Sequence, residues 1–207
     1  MRTRAAFSAE TRRRILEATR RSLARGDDTD LGLGAIARVA RVSRLTIYNH
    51  FGSRSGLLEA LYDYLAARGN VRRGKNALLE KAPDAIMATF IGALADFWTS
   101  DPVVIRRLHA MAALDAEIRR GLAARETRRR RAAAEIVRRS ASAATRERRS
   151  WTDRLLADAL CTLASFETYD ALARAGHGRA EITAVMTHFA QGVLAQGFSF
   201  ANRRPSA

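Results

Sequence analysis

The chain has few of the residues on which disulfide-linked folds depend and none of the long apolar runs of membrane proteins. Its 207 residues include one cysteine and three prolines, and no stretch of about 18 consecutive apolar residues occurs. The single cysteine, Cys161, has no partner for an internal disulfide, and its apolar neighbours favour a buried structural thiol. No apolar run of signal-peptide length follows the basic start. We therefore expect a cytoplasmic protein with no membrane partner.

Motifs of catalysis and cofactor binding are missing as well. The sequence has no G-x-S-x-G, no phosphate-binding loop, no dinucleotide fingerprint and no H-E-x-x-H. Its four histidines are spread along the chain, at His50, His109, His177 and His188. The sequence thus predicts a protein that is not an enzyme and that holds no cofactor or metal ion.

Positive charge is abundant and is concentrated in two blocks. The net charge is +15, and every basic side chain except Lys75 and Lys81 is an arginine. Residues 1–75 carry 16 basic against 7 acidic side chains, and residues 118–149 carry 12 against 3. The first block is typical of proteins that neutralise nucleic-acid phosphates. The arginines that we expect to help there are Arg12, Arg13, Arg14, Arg20 and Arg21.

The second basic block, residues 118–149, has two interpretations. Its arginines alternate with apolar residues such as Leu122 and Ile136, which favours a long helix with a solvated face and arginine stems along apolar surface. A second surface for nucleic acid is the less favoured interpretation.

Residues 33–58 have the pattern of two short helices separated by a tight turn. Ser43 is a good N-cap, because its hydroxyl can accept a hydrogen bond from a free amide in the next helical turn. Ile47 and Phe51 follow at helical spacing and share one face, which predicts that they pack inward. They should meet the apolar stripe of the preceding helix, which consists of Leu33, Ile36, Ala37 and Ala40.

The opposite face of the second short helix is polar. At about 100° per residue, Leu45, Thr46 and Asn49 point away from the buried pair, and Tyr48 and His50 flank them. Central side chains of such a helix can read base edges in the major groove, while its flanks reach phosphates on the two groove walls. The pattern predicts a DNA recognition helix.

This segment resembles the tetracycline-repressor (TetR) family of bacterial transcription regulators. The matching residues are Ile36, Ala37, Val42, Ser43, Thr46, Ile47, Tyr48, His50, Phe51, Arg54, Leu57 and Leu58. The resemblance implies an all-α fold, with a helix-turn-helix DNA-binding domain over residues 1–68 and a helical effector-binding and dimerisation domain over 69–207. The DNA-binding residues that it implies are Ser43, Arg44, Leu45, Thr46, Tyr48, Asn49, His50 and Arg54.

The chain departs from the family pattern at the turn. Arg41 stands where the family usually has a glycine with positive φ. Either the turn is rearranged, or a residue other than glycine adopts the left-handed conformation at a cost of roughly 1 kcal/mol.

The rest of the chain also has helical patterns throughout. We predict helices over about 8–25, from Pro83 to Asp101, on through Met111, over about 115–142, over about 151–175 and over about 179–200. The last two have more apolar surface than one small domain needs. By resemblance to the family, they form a four-helix bundle with a second copy of the chain, which gives a homodimer.

An apolar set in the second half could line a pocket for a small molecule. Its members are Met87, Phe90, Leu94, Phe97, Trp98, Met111 and Phe166. Ordinary core packing explains each of them equally well, but the resemblance implies a small-molecule effector that releases the protein from DNA.

The sequence as a whole predicts a DNA-binding transcriptional regulator. A repressor that binds a palindromic double-stranded operator as a homodimer, and that an effector releases, is the favoured form. A sequence-neutral, nucleoid-type DNA-binding protein is the alternative that the net charge supports. An enzyme joined to a DNA-binding domain is least favoured.

Overall fold

The computed structural model describes residues 4–26, 32–69, 83–140 and 152–197, and within these ranges the chain is helical and contains no strand. The all-α fold that the sequence predicted is confirmed. Ten helices occur in the described ranges: α1 Arg4–Arg25, α2 Leu33–Ala40, α3 Arg44–Phe51, α4 Arg54–Arg68, α5 Pro83–Ser100, α6 Pro102–Ala112, α7 Ala116–Ser140, α8 Asp153–Leu163, α9 Phe166–Arg174 and α10 Arg179–Gly197. None of them has the length and apolar character needed to cross a membrane.

The chain divides into two compact units. The N-terminal unit consists of Met1–Arg68 together with Asp101–Ala123, and the C-terminal unit consists of Gly69–Ser100 together with Ala124–Ala207. The first break follows residue 68, where the sequence predicted a boundary. The segment 101–123, however, packs with the N-terminal unit, although the sequence assigned it to the second domain.

Polar contacts with α1 hold this segment in the N-terminal unit. The Arg20 guanidinium lies 2.7 Å from the Asp101 carboxylate. The Arg107 guanidinium donates to the carbonyl oxygens of Leu23 and Arg25, which lie at the C-terminal end of α1 and have no partners within that helix. The sequence did not predict these contacts, because their partners are far apart in the chain.

Aliphatic side chains form the core of the N-terminal unit. Ile15 of α1, Ile36 of α2 and Ile47 of α3 have essentially no exposed surface. The buried face of α4 completes this core with Leu57, Leu58, Leu61 and Leu65. The short helices α2 and α3 are therefore held by burial of apolar surface rather than by helix propensity, which is insufficient in helices of eight residues.

The helix predicted over about 151–175 is in fact two helices, α8 and α9. Ser165 caps α9, because its Oγ accepts a hydrogen bond of 3.2 Å from the Thr168 amide. The Thr168 hydroxyl in turn donates to the Thr162 carbonyl, 2.8 Å away, at the end of α8. The apolar stripe continues across this break, so periodicity alone predicted one helix.

Asp115 fixes the start of the arginine-rich helix α7. Its Oδ1 accepts hydrogen bonds from the amides of Glu117 at 2.8 Å and Ile118 at 3.1 Å. The helix ends at Ser140 in the structure, and residues 141 and 142, where the sequence placed its last turn, lie outside the described ranges.

Candidate DNA-binding site

The turn between α2 and α3 keeps its geometry despite the absence of glycine. Arg41 has φ 52° and ψ 51°, in the left-handed region, and its amide donates to the Arg38 carbonyl. The Val42 amide donates to the Ala37 carbonyl at 3.0 Å, which completes the end of α2. Of the two alternatives at this position, the structure therefore has the strained arginine rather than a rearranged turn.

Ser43 caps α3, as the sequence predicted. Its Oγ accepts a hydrogen bond of 3.0 Å from the Thr46 amide and lies 2.9 Å from the Thr46 hydroxyl. Ser43 has extended backbone, with φ −78° and ψ 158°. The two hydroxyls thus fix the first turn of α3, the turn whose residues would enter a major groove first.

One face of α3 is buried and the other is exposed. Ile47 is completely buried, whereas Leu45 is 67% exposed and Tyr48 is 49% exposed. Asn49 is also exposed, and His50 is half-buried. The helix therefore presents apolar, phenolic and amide groups to solvent from a rigid support.

Arg12 contacts the C-terminal end of α3 from the neighbouring helix α1. Its Nη1 donates a hydrogen bond of 2.8 Å to the His50 carbonyl, and its guanidinium carbon lies 4.4 Å from the centre of the Phe51 ring. A cation at this position satisfies a helix-terminal carbonyl and complements the negative end of the helix dipole. The sequence predicted a phosphate contact for Arg12 and did not reveal this role.

Two other arginines of α1 are also engaged within the protein. Arg13 pairs with Glu10 at 2.7 Å, and Arg20 pairs with Glu17 at the same distance as well as with Asp101. The hydrogen bonds from Arg20 lower the pKa of the Glu17 carboxyl, and the Tyr64 hydroxyl adds another. Arg20 is therefore part of the support for α1 rather than a free phosphate contact.

Glycines of α2 and α4 make room for the ends of α3. A Cβ on Gly56 would collide with the Phe51 carbonyl oxygen, which is backbone, whereas a Cβ on Gly34 would meet only the guanidinium of Arg44, which can move aside. The guanidinium of Arg44, at the start of α3, lies next to Gly34 of α2. Sequence analysis did not single out either glycine, because the requirement arises from contact between helices.

Arg54 does not join the exposed residues of α3, although the resemblance implied a DNA contact for it. Its Nη1 lies 2.8 Å from the Asp115 carboxylate and 3.1 Å from that of Glu117. Burial opposes the charge, but hydrogen bonds to the two carboxylates raise the pKa of Arg54. Two acids therefore already neutralise this guanidinium, and a DNA contact from Arg54 stays a prediction.

The residues of the expected effector pocket fall into both units. Met87, Phe90, Phe97, Trp98 and Phe166 are buried in the C-terminal unit, and Leu94 there is half-buried. Met111, by contrast, belongs to the N-terminal unit. The Trp98 ring lies 4.7 Å from the Phe97 ring and 5.5 Å from the Phe166 ring, between centres.

The N-terminal unit contains a capped recognition helix with an exposed polar face, which follows a supporting helix and a tight turn. This arrangement defines a DNA-binding domain of the helix-turn-helix class. Residues 15–61 match the model of the bacterial regulatory proteins of the tetR family. Over this segment, which contains the helix-turn-helix, the chain is similar to that family.

The chain is also similar to a curated relative and, in fold, to solved structures. The chain is 36% identical over 103 residues to the HTH-type transcriptional regulator AlkX of Mycobacterium tuberculosis. This match spans 49% of the chain and 48% of the relative, about half of its length.

Two solved structures share the fold over most of their length. A protein assigned to the TetR family from Syntrophomonas wolfei superposes with a TM-score of 0.73 at 14% identity, over 90% of this chain and 96% of that one. The regulator LfrR of Mycobacterium smegmatis, solved in complex with proflavine, superposes with a TM-score of 0.53 at 23% identity, over 90% and 95%.

Proposed function

We propose that the protein is a cytoplasmic transcriptional repressor that binds a near-palindromic DNA operator as a homodimer and is released by a small-molecule effector. The exposed face of α3 is the observation that carries this proposal. Leu45 and Asn49 lie where side chains of a recognition helix meet base edges, and Tyr48 and His50 lie where they meet phosphates.

The Asn49 amide suits base reading, because it can both donate to and accept from an adenine edge. Leu45 offers an apolar surface to a thymine methyl group. The Tyr48 hydroxyl and an N–H of the His50 imidazole can each donate a hydrogen bond to a phosphate oxygen. We therefore assign specificity to the first pair and general affinity to the second.

Exposed apolar groups on the last helices support the proposed dimer. Phe189 of α10 is 53% exposed and Leu155 of α8 is 49% exposed. Val185 and Val193 lie four residues to either side of Phe189 and are half-buried, so they extend this apolar stripe. Burial of such a stripe against a second copy would remove it from water.

The effector is proposed to act through the C-terminal unit, where the aromatic cluster lies. An effector can release DNA only if it binds more tightly to a state with lower DNA affinity. The chain passes between the units after Arg68, after Ser100 and after Ala123. The pairing of Arg54 with Asp115 and Glu117 joins α4 to the start of α7, the helix that continues into the C-terminal unit.

Footprinting on a binding site selected from random duplex DNA tests the proposed function. We expect protection of two inverted half-sites spaced by about one helical turn, 10 to 10.5 base pairs, or a multiple of it. Light scattering should give the mass of a dimer at the same concentration. A single unrepeated half-site, or a monomer that binds with full affinity, would contradict the proposal.

Substitution of Arg12 should weaken operator binding without changing its salt dependence. Arg12→Gln removes the contact to the His50 carbonyl, and α3 loses a support at its C-terminal end. A phosphate contact behaves differently, since losing one reduces the slope of log K against log[salt] by about 0.9. The expected result is lower affinity for operator at every salt concentration with an unchanged slope, and partial rescue in Arg12→Lys. A slope reduced by about one would instead make Arg12 a phosphate contact.

A further inference from the structure

Arg129 of α7 contacts an aromatic ring inside the C-terminal unit. Its guanidinium carbon lies 5.7 Å from the centre of the Trp98 ring. Trp98 itself packs against Phe97 and Phe166, so the cation borders an aromatic cluster. The side chain is half-buried and its Nε atom is shielded from solvent.

Two other arginines of α7 have carboxylate partners, but Arg129 has none within the described ranges. Arg130 lies 2.6 Å from Asp158 and 3.3 Å from Glu126. Farther along the same helix, Arg138 pairs with Glu135. For Arg129, by contrast, no described carboxylate lies within ion-pair distance, and its Nε finds no hydrogen-bond acceptor among the described residues.

Cys161 does not supply the missing negative charge. Burial raises the pKa of its thiol, which the nearby Arg129 and Arg130 only partly oppose. The sulfur is therefore a neutral thiol at neutral pH. Arg129 hydrogen-bonds this thiol, but a neutral sulfur is only a weak acceptor. A ring face attracts a cation but accepts no hydrogen bond in the plane of the guanidinium, so Arg129 has no strong acceptor within the described ranges.

A partly desolvated guanidinium without a carboxylate costs folding free energy, and proteins often keep such costs at residues that serve a function. Its planar fork of donors matches a carboxylate in two parallel hydrogen bonds. We propose that Arg129 is the anion-binding residue of the effector site, and that the effector carries a carboxylate on an aromatic or otherwise apolar body. This inference rests on the proposed function, because it names the chemical class of the effector.

Calorimetric titration of the full, DNA-free protein tests the proposal directly. The probes are benzoate, 2-naphthoate and decanoate, each compared with its neutral amide, which keeps the shape and removes the charge. We expect at least one acid to bind about tenfold or more tightly than its amide, as charge-assisted hydrogen bonds allow. The proposal would be overturned if none of the acids showed saturable binding, or if every acid bound with the same affinity as its amide.

Matched variants on the same helix assign the preference to one side chain. Arg129→Gln should bind acid and amide equally, and Arg129→Lys should keep a reduced preference because it retains the charge without the fork. The control is Arg128→Gln, an exposed neighbour, which should keep the full preference. Retention of the preference in Arg129→Gln would overturn the assignment.

Thermal stability separates ligand binding from packing. Arg129→Met keeps the length of the side chain and removes the desolvated charge, so its melting temperature without ligand should equal or exceed that of the wild type. An acid that binds should raise the melting temperature of the wild type and not that of the variant. A melting temperature several degrees lower in the variant would make Arg129 a packing residue and overturn the proposal.

Failure of this proposal is distinguishable from failure of the proposed function. All titrations above are made without DNA, and operator affinity is measured separately. If the wild type binds operator but no acid, the assignment of Arg129 fails and the DNA-binding function stands. If an acid binds but leaves the operator complex intact, the anion site stands and release by this ligand fails.

Discussion

Replacement of Phe189 by glutamate is expected to give a monomer whose operator affinity is at least about a thousandfold lower. Phe189 is more than half exposed in the single chain, in the middle of the apolar stripe on α10. A charge there would have to be buried without a partner in the proposed dimer. A monomer presents one recognition helix instead of two, so its binding falls to the range of non-specific affinity, which is typically a thousandfold or more weaker.

Ala184→Glu is the matched control for this prediction. Ala184 lies on the same helix and is exposed, but at 100° per residue it points about 140° away from Phe189. The control should stay dimeric and keep operator affinity. Light scattering and a gel-shift titration measure the two properties. A dimeric Phe189→Glu variant would place the dimer contact elsewhere, and a monomeric one with full affinity would remove the need for a dimer.

Asn49→Ala is expected to reduce operator affinity by about 1 to 3 kcal/mol and to leave binding to scrambled DNA nearly unchanged. The loss is expected because the exposed amide of Asn49 is proposed to read a base edge, which only the correct sequence provides. Titration of the operator and of a scrambled duplex, at the same salt concentration, measures the difference.

Tyr48→Phe and His50→Ala serve as the comparison for Asn49→Ala. Both side chains lie at the flanks of α3, so their loss should weaken binding to operator and scrambled DNA by similar factors. Two results would mean that α3 faces the groove differently. Asn49→Ala would lower the affinity for both DNAs equally, or Tyr48→Phe would lower the affinity for the operator alone.

The local features of the recognition helix were predictable because they depend on residues close in sequence. The Ser43 cap needs only a hydroxyl three residues before the Thr46 amide, and the burial of Ile47 follows from its spacing. The conformation of Arg41 was predictable only as one of two alternatives. The sequence shows which residue occupies the turn, but packing on both sides decides whether the strain is accepted.

The features that the sequence did not predict depend on contacts between distant residues. Arg54 has the position of a phosphate contact in the family pattern, yet its partners Asp115 and Glu117 lie on a segment that the sequence assigned to the other domain. The role of Arg12 follows from the packing of α1 beside α3. Periodicity cannot reveal such pairs, because it reports which face is buried and not which element buries it.

The ratio of affinities for the selected operator and for a scrambled duplex of equal length decides whether this protein reads DNA sequence. Measured on the wild-type protein at one physiological salt concentration, this ratio should be about a thousandfold or more, because α3 is proposed to read base edges. A ratio near one would contradict the account, since the protein would then bind through its arginines alone and without regard to sequence.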